Sequence, residues 1–468
     1  MSTASPAGPR AFRAAFAACG TPPARRPCLR APRPLRAAPP AVATGSSCAS
    51  SAAAGSDADA DATRRASSRG AGSGSGSSGG ESRYWRWRSF DVHYEVHRAT
   101  GGAGAPAEAS ADVVFLAGFG CGSFHFANNL APLSRAGGVD CWAMDIAGQG
   151  SSWPVDEVAL DALKREGHAY DARLWVEQLK EFVRHVVRAR GETGGVKRPL
   201  YLVGNSLGGY LSAAAAAELA KEAPGAVSGV ALLNATPFWG STAVFPYKGA
   251  LPVPPLLLRL ISAYWSYFSS EVNIKFLLNQ VYARHEPLDE DPQLIAAIRA
   301  PTRHSHALEA FCSILTSPAL RPDEHLTAAL DGALDELHAR GVRVAMFNGA
   351  QDPWVVPAWG RRAKRREPQT TLVELSPAGH CPHHEAPHAA NALLAEFVRG
   401  GDPAAAEVLA EAQRAEGDAR AARHLPQQGA FSVVAVEDGE PTTALGRFVA
   451  QAERSEAEWL KALKIVVS

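Results

Sequence analysis

Two hydrophobic patterns divide the chain. Between Tyr84 and His97 the run YWRWRSFDVHYEVH alternates apolar and polar side chains, the spacing of strands with one covered face. It predicts an antiparallel pair and puts the start of folded sequence near Tyr84. From Asp112 the pattern changes. DVVFLAGFG, VDCWAM before Asp145, PLYLVG before Asn205 and GVALLN before Ala235 are unbroken apolar runs of strand length. Strands apolar on both faces are covered on both, as in a parallel sheet. VRVAMFNG and TLVELSP repeat the pattern late in the chain. Helix-compatible stretches, residues 171–190 and 207–223 among them, lie between the runs. The predicted fold class is α/β: a doubly wound, mostly parallel sheet with ligand chemistry at the carboxyl ends of its strands.

The same patterns set the organisation. Met1 to Ser56 holds no Asp or Glu while Arg recurs, and residues 68–80 (SRGAGSGSGSSGG) are Gly/Ser-rich. An acid-free, Arg- and Ser-rich leader without an apolar block predicts an organelle transit peptide, followed by a disordered linker. Residues 1–80 are assigned to these two. Residues 81–240 are the first part of the α/β core. Residues 241–337 lose the strand signal and predict an inserted helical cap, and 338–400 return to the core. The sheet is expected to be complete by about Gly400, leaving 401–468 as a C-terminal extension, helix-like at its start and near 450–464. The segment from Leu251 to Phe268 carries three prolines and Arg259, which speaks against a transmembrane helix.

Composition narrows the class. Lys+Arg and Asp+Glu both number 47, so the formal net charge is zero, which argues against a general grip on nucleic acid. The seven cysteines (Cys19, Cys28, Cys48, Cys121, Cys141, Cys312 and Cys381) show no paired or zinc-like spacing, and free thiols are expected.

Candidate chemistry begins at Gly204-Asn205-Ser206-Leu207-Gly208. This G-x-S-x-G follows a strand and opens a helix, the setting of a nucleophile elbow. Serine in a sharp turn brings the residues two places either side into collision, and Gly204 and Gly208 remove it. Serine needs a base to become nucleophilic. With the order serine, acid, histidine on loops after late strands, Asp352 follows VRVAMFNGAQ and His380 follows TLVELSPAG. The rival acid position, after the preceding strand, holds Asn234, which cannot serve as an anion. Ser206, Asp352 and His380 are therefore the predicted catalytic set. The oxyanion donors are expected to be the N–H of Leu207 and the N–H of Phe119 in the Gly118-Phe119-Gly120 loop. The Asp145-IAGQGSS loop is expected to shape the same mouth.

His384-Glu385-Ala386-Pro387-His388 matches H-E-x-x-H, the pattern of zinc proteases. That motif needs one continuous helix, and Pro387 removes a backbone donor inside it. No metal and no cofactor are expected, and His383 and His384 are read as surface residues or as neighbours supporting the active histidine.

Several segments carry a family resemblance. These are Phe119-Gly120-Cys121-Gly122-Ser123-Phe124-His125-Phe126, Gly148-Gln149-Gly150, the elbow through Tyr210, residues 232–240 (LLNATPFWG), Asp352-Pro353-Trp354-Val355 and residues 376–383 (SPAGHCPH). Together, over roughly residues 84–400, they resemble the pheophytinases of plants and green algae, within the α/β-hydrolase fold. The resemblance implies a plastid hydrolase that cleaves the phytyl ester of pheophytin to pheophorbide and phytol. It implies a hydrophobic tetrapyrrole ester as substrate and a location in the stroma or at the thylakoid surface, with peripheral association there. Other enzymes of chlorophyll breakdown would be its partners. Phe238 and Trp239, just past a strand's carboxyl end, are the candidate substrate contacts. Three other readings keep the same motifs: a chlorophyll dephytylase, a plastid lipid esterase or acyltransferase, and a non-catalytic binding protein on a hydrolase fold.

Overall fold

The computed structural model describes residues 80–99, 109–165, 170–190, 198–239, 254–283, 292–318, 320, 329–423 and 430–439. The leader and the helix expected near 450–464 lie outside the described residues. Among the described residues ten strands form one sheet. They are β1 (Gly80–Trp87), β2 (Phe90–His97), β3 (Asp112–Leu116), β4 (Asp140–Met144), β5 (Trp153–Pro154), β6 (Leu200–Asn205), β7 (Gly229–Leu233), β8 (Arg343–Gly349), β9 (Thr371–Ser376) and β10 (Ser432–Ala435). The order is β1-β2-β4-β3-β6-β7-β8-β9-β10, with β5 beside β2. From β4 to β9 neighbours are parallel, while β1, β2, β5 and β10 pair antiparallel.

The unbroken apolar runs are strands buried on both faces. In β3 every residue is buried; Val114 and Leu116 join one core, and Val113 and Phe115 join the other. Among the helices, α1 (Ala127–Gly137), α2 (Glu157–Arg165), α3 (Ala172–Phe182) and α4 (Leu207–Glu222) belong to the first part of the chain. α4 and α3 lie against the first core, and α1 against the second. The Ala-rich α4 (LGGYLSAAAAAELAKE) suits this place: small side chains and high helix propensity let it pack closely on the sheet.

Between β7 and β8 come α5 (Pro255–Phe268), α6 (Glu271–Val281), α7 (Pro292–Arg299), α8 (Ala307–Thr316) and α9 (Ala329–Ala339). The first four are the helices of the expected cap. α9 is a correction to its boundary. Leu330, Ala333, Leu334 and Leu337 recur at helical spacing and enter the main core, so residues 329–337 belong to the α/β body.

Then follow α10 (Ala358–Arg366), α11 (Pro382–Glu385), α12 (Pro387–Val398) and α13 (Ala406–Ala422). Two further boundaries move. β1 begins at Gly80, inside the segment assigned to the linker, because its pairing with β2 runs on to Gly80↔His97. The sheet also does not end near Gly400: β10 adds to β9 antiparallel, burying Phe431 and Val433, and α13 puts Ala412 into the second core.

Candidate active site

The turn from β6 into α4 holds Ser206 at φ 53°, ψ −120°, a region that residues with a Cβ rarely occupy. The neighbouring glycines make the turn feasible. A Cβ on Gly204 would sit 2.2 Å from the Gly208 carbonyl oxygen, and one on Gly208 would sit 2.2 Å from that of Leu116. The turn is pinned by the Ser206 N–H donating to Leu233 O (3.1 Å) and by Thr236 and Gly209 donating to Ser206 O. Unlike its flanking residues, Ser206 is not fully buried.

His380 lies just past β9, and Asp352 just past β8. His380 Nδ1 is 2.7 Å from Asp352 Oδ2, with both side chains buried. The carboxylate is fixed from every side. Its Oδ1 accepts from Trp354 N–H (2.8 Å) and Val355 N–H (3.0 Å), and its Oδ2 accepts from Asn234 Nδ2 (2.7 Å). Asn234 itself is at φ 45° and accepts from Gly349 N–H at 2.8 Å. The residue excluded as the acid is thus the acid's partner.

A second amide ties the elbow to the histidine. Asn205 Nδ2 donates to Leu233 O and to His380 O, each at 2.9 Å, so the residue before Ser206 is bonded to the backbone of His380. The His380 N–H is held by Val281 O of α6. Beneath it, Glu385 accepts from Gly379 N–H (2.9 Å), Cys381 N–H (3.4 Å) and Ala283 N–H (2.9 Å). Trp354, 58% exposed, stands over the His380 ring at 6.0 Å.

The Phe119 loop faces the elbow, and a Cβ on Gly118 would lie 3.1 Å from the Ser206 Cβ. Gly120 N–H donates to Gln149 Oε1, which fixes this loop to the one after β4. Asp145 anchors that second loop by accepting from Ser123 N–H (2.5 Å) and Ser151 N–H (2.8 Å). Among the described residues neither Phe119 nor Leu207 donates its N–H to another backbone carbonyl. Leu207, the first residue of α4, has no acceptor within its own helix.

Phe238 and Trp239 are both partly buried. Trp239 packs on Phe119 at 5.8 Å between ring centroids, whereas Phe238 turns to Trp359 at 5.9 Å. The cap supplies two rings that the sequence did not single out. Phe311 of α8 lies 5.7 Å from Phe119, and Trp265 of α5 lies 5.3 Å from Phe311.

The H-E-x-x-H segment is broken at Ala386 (φ −140°, ψ 62°), so His384 and His388 belong to separate helices, α11 and α12. Of the two places expected for His383 and His384, the surface is excluded, since both are buried. His383 Nε2 is 3.4 Å from His125 Nδ1, and His125 Nε2 is 3.0 Å from the Tyr282 hydroxyl. Burial, then the nearby His125, His384 and His380 rings, hold the His383 pKa well below the usual histidine value. The four described cysteines are free thiols; Cys19, Cys28 and Cys48 lie outside the described residues.

The chain is similar to several known proteins. Pheophytinase, chloroplastic, of Arabidopsis thaliana is 32% identical over 341 residues, which cover 66% of this chain and 64% of that protein's length. Among solved structures, the haloalkane dehalogenase DbeA of Bradyrhizobium elkani is 18% identical with a TM-score of 0.49, over 69% of this chain and 98% of that one. A meta-cleavage product hydrolase of Pseudomonas fluorescens is 16% identical with a TM-score of 0.46, over 66% of this chain and 95% of that one. Residues 113–393 match the Alpha/beta hydrolase family, more than half of the sequence, and the chain belongs to that family.

Proposed function

We propose that this chain is a serine carboxylic ester hydrolase that cleaves the phytyl ester of pheophytin to pheophorbide and phytol. The observation that carries the reading is a serine at φ 53° in a glycine-flanked elbow, tied through Asn205 to the backbone of a buried histidine–aspartate pair. Ser206 Oγ attacks the propionate ester carbonyl. His380 takes the serine proton at Nε2, while Asp352 accepts from its Nδ1–H and favours the imidazolium that forms. The N–H groups of Phe119 and Leu207 receive the oxyanion. Collapse expels phytol, which leaves with the proton from His380. Water then attacks the acyl-enzyme by the same route and releases pheophorbide.

The choice of substrate is supported by the identity to a protein called Pheophytinase, chloroplastic, and by the rings of Phe119, Trp239, Phe311 and Trp265, which suit an apolar ester. The same relative supports a chloroplast setting, with residues 1–80 as transit peptide and linker. Peripheral contact with the thylakoid, where so apolar a pigment is dissolved, belongs to this reading, as do partner enzymes of chlorophyll breakdown.

The test is a parallel incubation of the purified chain with pheophytin a and with chlorophyll a, beside Ser206→Ala, with pigments resolved by chromatography. Pheophorbide from pheophytin alone, lost in the variant, is the expected result. Release from chlorophyll as well would make the protein a general dephytylase. If folded protein releases phytol from neither pigment, the substrate assignment fails.

A further inference from the structure

Helix α5 has no buried residue, although eleven of its fourteen residues (PLLLRLISAYWSYF) are apolar or aromatic, counting its proline. Leu256 (70% exposed), Leu260 (49%), Tyr264 (60%) and Tyr267 (62%) recur at i, i+4, i+8 and i+11. At about 100° per residue they fall within an arc of about 80°. Val272 (78%) and Phe276 (59%) form a similar i, i+4 pair on α6, the next helix. Leaving such a surface in water is costly, and contiguous apolar patches on this scale mark an interaction site.

From the solvent-facing stripe and its continuity with the site, we infer that α5 and α6 form a lipid-docking surface by which the chain meets a membrane and takes up an ester dissolved in it. Three observations favour lipid over another occupant. Leucines mixed with tyrosines, whose rings carry a polar tip, are the composition of a helix lying at a bilayer interface. From Pro255 to Val281 the sole acidic residue is Glu271, bonded to Arg299, while Arg259 is exposed and basic, which suits an anionic headgroup. Trp265 lies on the side of α5 opposite the stripe, where it begins the ring series through Phe311 to Phe119. One helix therefore offers one face to the outside and, on the other, a ring that reaches the candidate oxyanion loop through Phe311.

The helix lies on the membrane and does not cross it. Fourteen residues extend about 21 Å, short of the roughly 30 Å of a hydrocarbon core. This inference rests on the esterase reading only for what is taken up; the docking itself is independent of it.

The test is flotation of the full chain with vesicles of phosphatidylcholine and phosphatidylglycerol, beside the variant Leu260→Asp with Phe276→Asp. Both side chains face outward, and thermal unfolding of the variant checks that the fold is kept. We expect the wild type to float and the variant to lose binding at least about tenfold. Hydrolysis of a short water-soluble ester should be unchanged, and hydrolysis of the same ester headgroup on a long chain held in vesicles should fall in parallel with binding. Wild-type protein that stays with the soluble fraction overturns the inference. So does a wild-type dimer in light scattering that the substitutions convert to monomer without changing flotation, because the stripe would then be a contact between copies. Loss of short-ester hydrolysis in Ser206→Ala with flotation retained separates the two proposals.

Discussion

Asn234 Nδ2 donates to the same Asp352 oxygen that faces His380 Nδ1, and both contacts are 2.7 Å. The amide thus shares the oxygen that faces the imidazole and helps to fix the carboxylate against rotation. Asn234 follows β7 in the left-handed region, where asparagine is one of few tolerated residues with a Cβ. Asn234→Gly keeps that backbone conformation but removes the donor, and it leaves the Gly349 N–H without its acceptor. We expect a loss of about 1–3 kcal/mol in urea unfolding and a roughly tenfold fall in kcat on a soluble ester. Asn234→Asp retains the acceptor for Gly349 but sets a second carboxylate against Asp352. Its kcat should fall further than that of the glycine variant while its KM stays near wild type.

Asp352→Asn preserves shape and removes the charge that holds the histidine tautomer. If the proposed mechanism holds, kcat should fall about 10⁴-fold, as in Ser–His–Asp hydrolases, with Ser206→Ala as the background. Steady-state hydrolysis of a chromogenic ester measures both. An Asp352→Asn variant within tenfold of wild type would remove the acid from the mechanism.

Substitution at the elbow should act on folding before catalysis. In Gly208→Ala the new Cβ meets the backbone oxygens of Leu116 (2.2 Å) and Ala117 (2.6 Å), and neither can move without shifting β3. A loss of about 3 kcal/mol or more is expected, read as a fall in the unfolding midpoint or in soluble yield.

The ring series should matter only for large substrates. Phe311→Ala removes the ring between Trp265 and Phe119. Its kcat/KM for a long-chain ester should drop about tenfold more than for an acetate ester. Equal losses on both would place Phe311 in the cap's own packing.

His383 gives the pH dependence its sign. Burial and neighbouring rings depress its pKa in the folded chain, so from about pH 6.5 downward the unfolded chain binds a proton that the folded chain refuses. Stability should therefore fall as pH drops through this window, by up to about 1.4 kcal/mol per pH unit from this group. His97, His304 and His338 are also lowered by burial and act in the same direction. His93 opposes them. Burial lowers its pKa, but the hydrogen bond and charge of Asp145 and the charge of Glu95 more than offset this, so its contribution is lost as pH rises through its folded pKa. Thermal unfolding of wild type and His383→Gln between pH 5 and 7, on the order of the histidine range, should show a shallower slope in the variant.

Strands were legible where burial on both faces writes an unbroken apolar run, as in β3, β4, β6 and β7. The elbow was legible because Gly204 and Gly208 answer a local steric need within five residues. Asn234 escaped as a partner because an amide beside a carboxylate follows no spacing rule; its position after β7 was visible, but its direction was not. Phe311 escaped for a related reason. Helical periodicity tells that one face is apolar, and only packing tells which ring turns to the site. β10 has four residues and one fully buried side chain, Val433, too little pattern to read as a strand. For His383 and His384 the sequence left surface and interior both open, because no spacing rule registers that nearby rings and a tyrosine hydroxyl make an interior place for imidazole.

The excursion that holds the cap helices leaves the sheet after β7 and rejoins the body at α9, which leads into β8, β7's immediate neighbour. A chain that exits and re-enters at adjacent rails can lengthen, shorten or be exchanged between those points without altering any strand register. The entropic cost of a longer excursion grows only with the logarithm of its length. On the proposed reading, selectivity and bond cleavage would then reside in separable parts of one polypeptide. Grafting a foreign excursion between the carboxyl end of β7 and the start of α9 is a direct route to a catalyst with the same machinery and another taste.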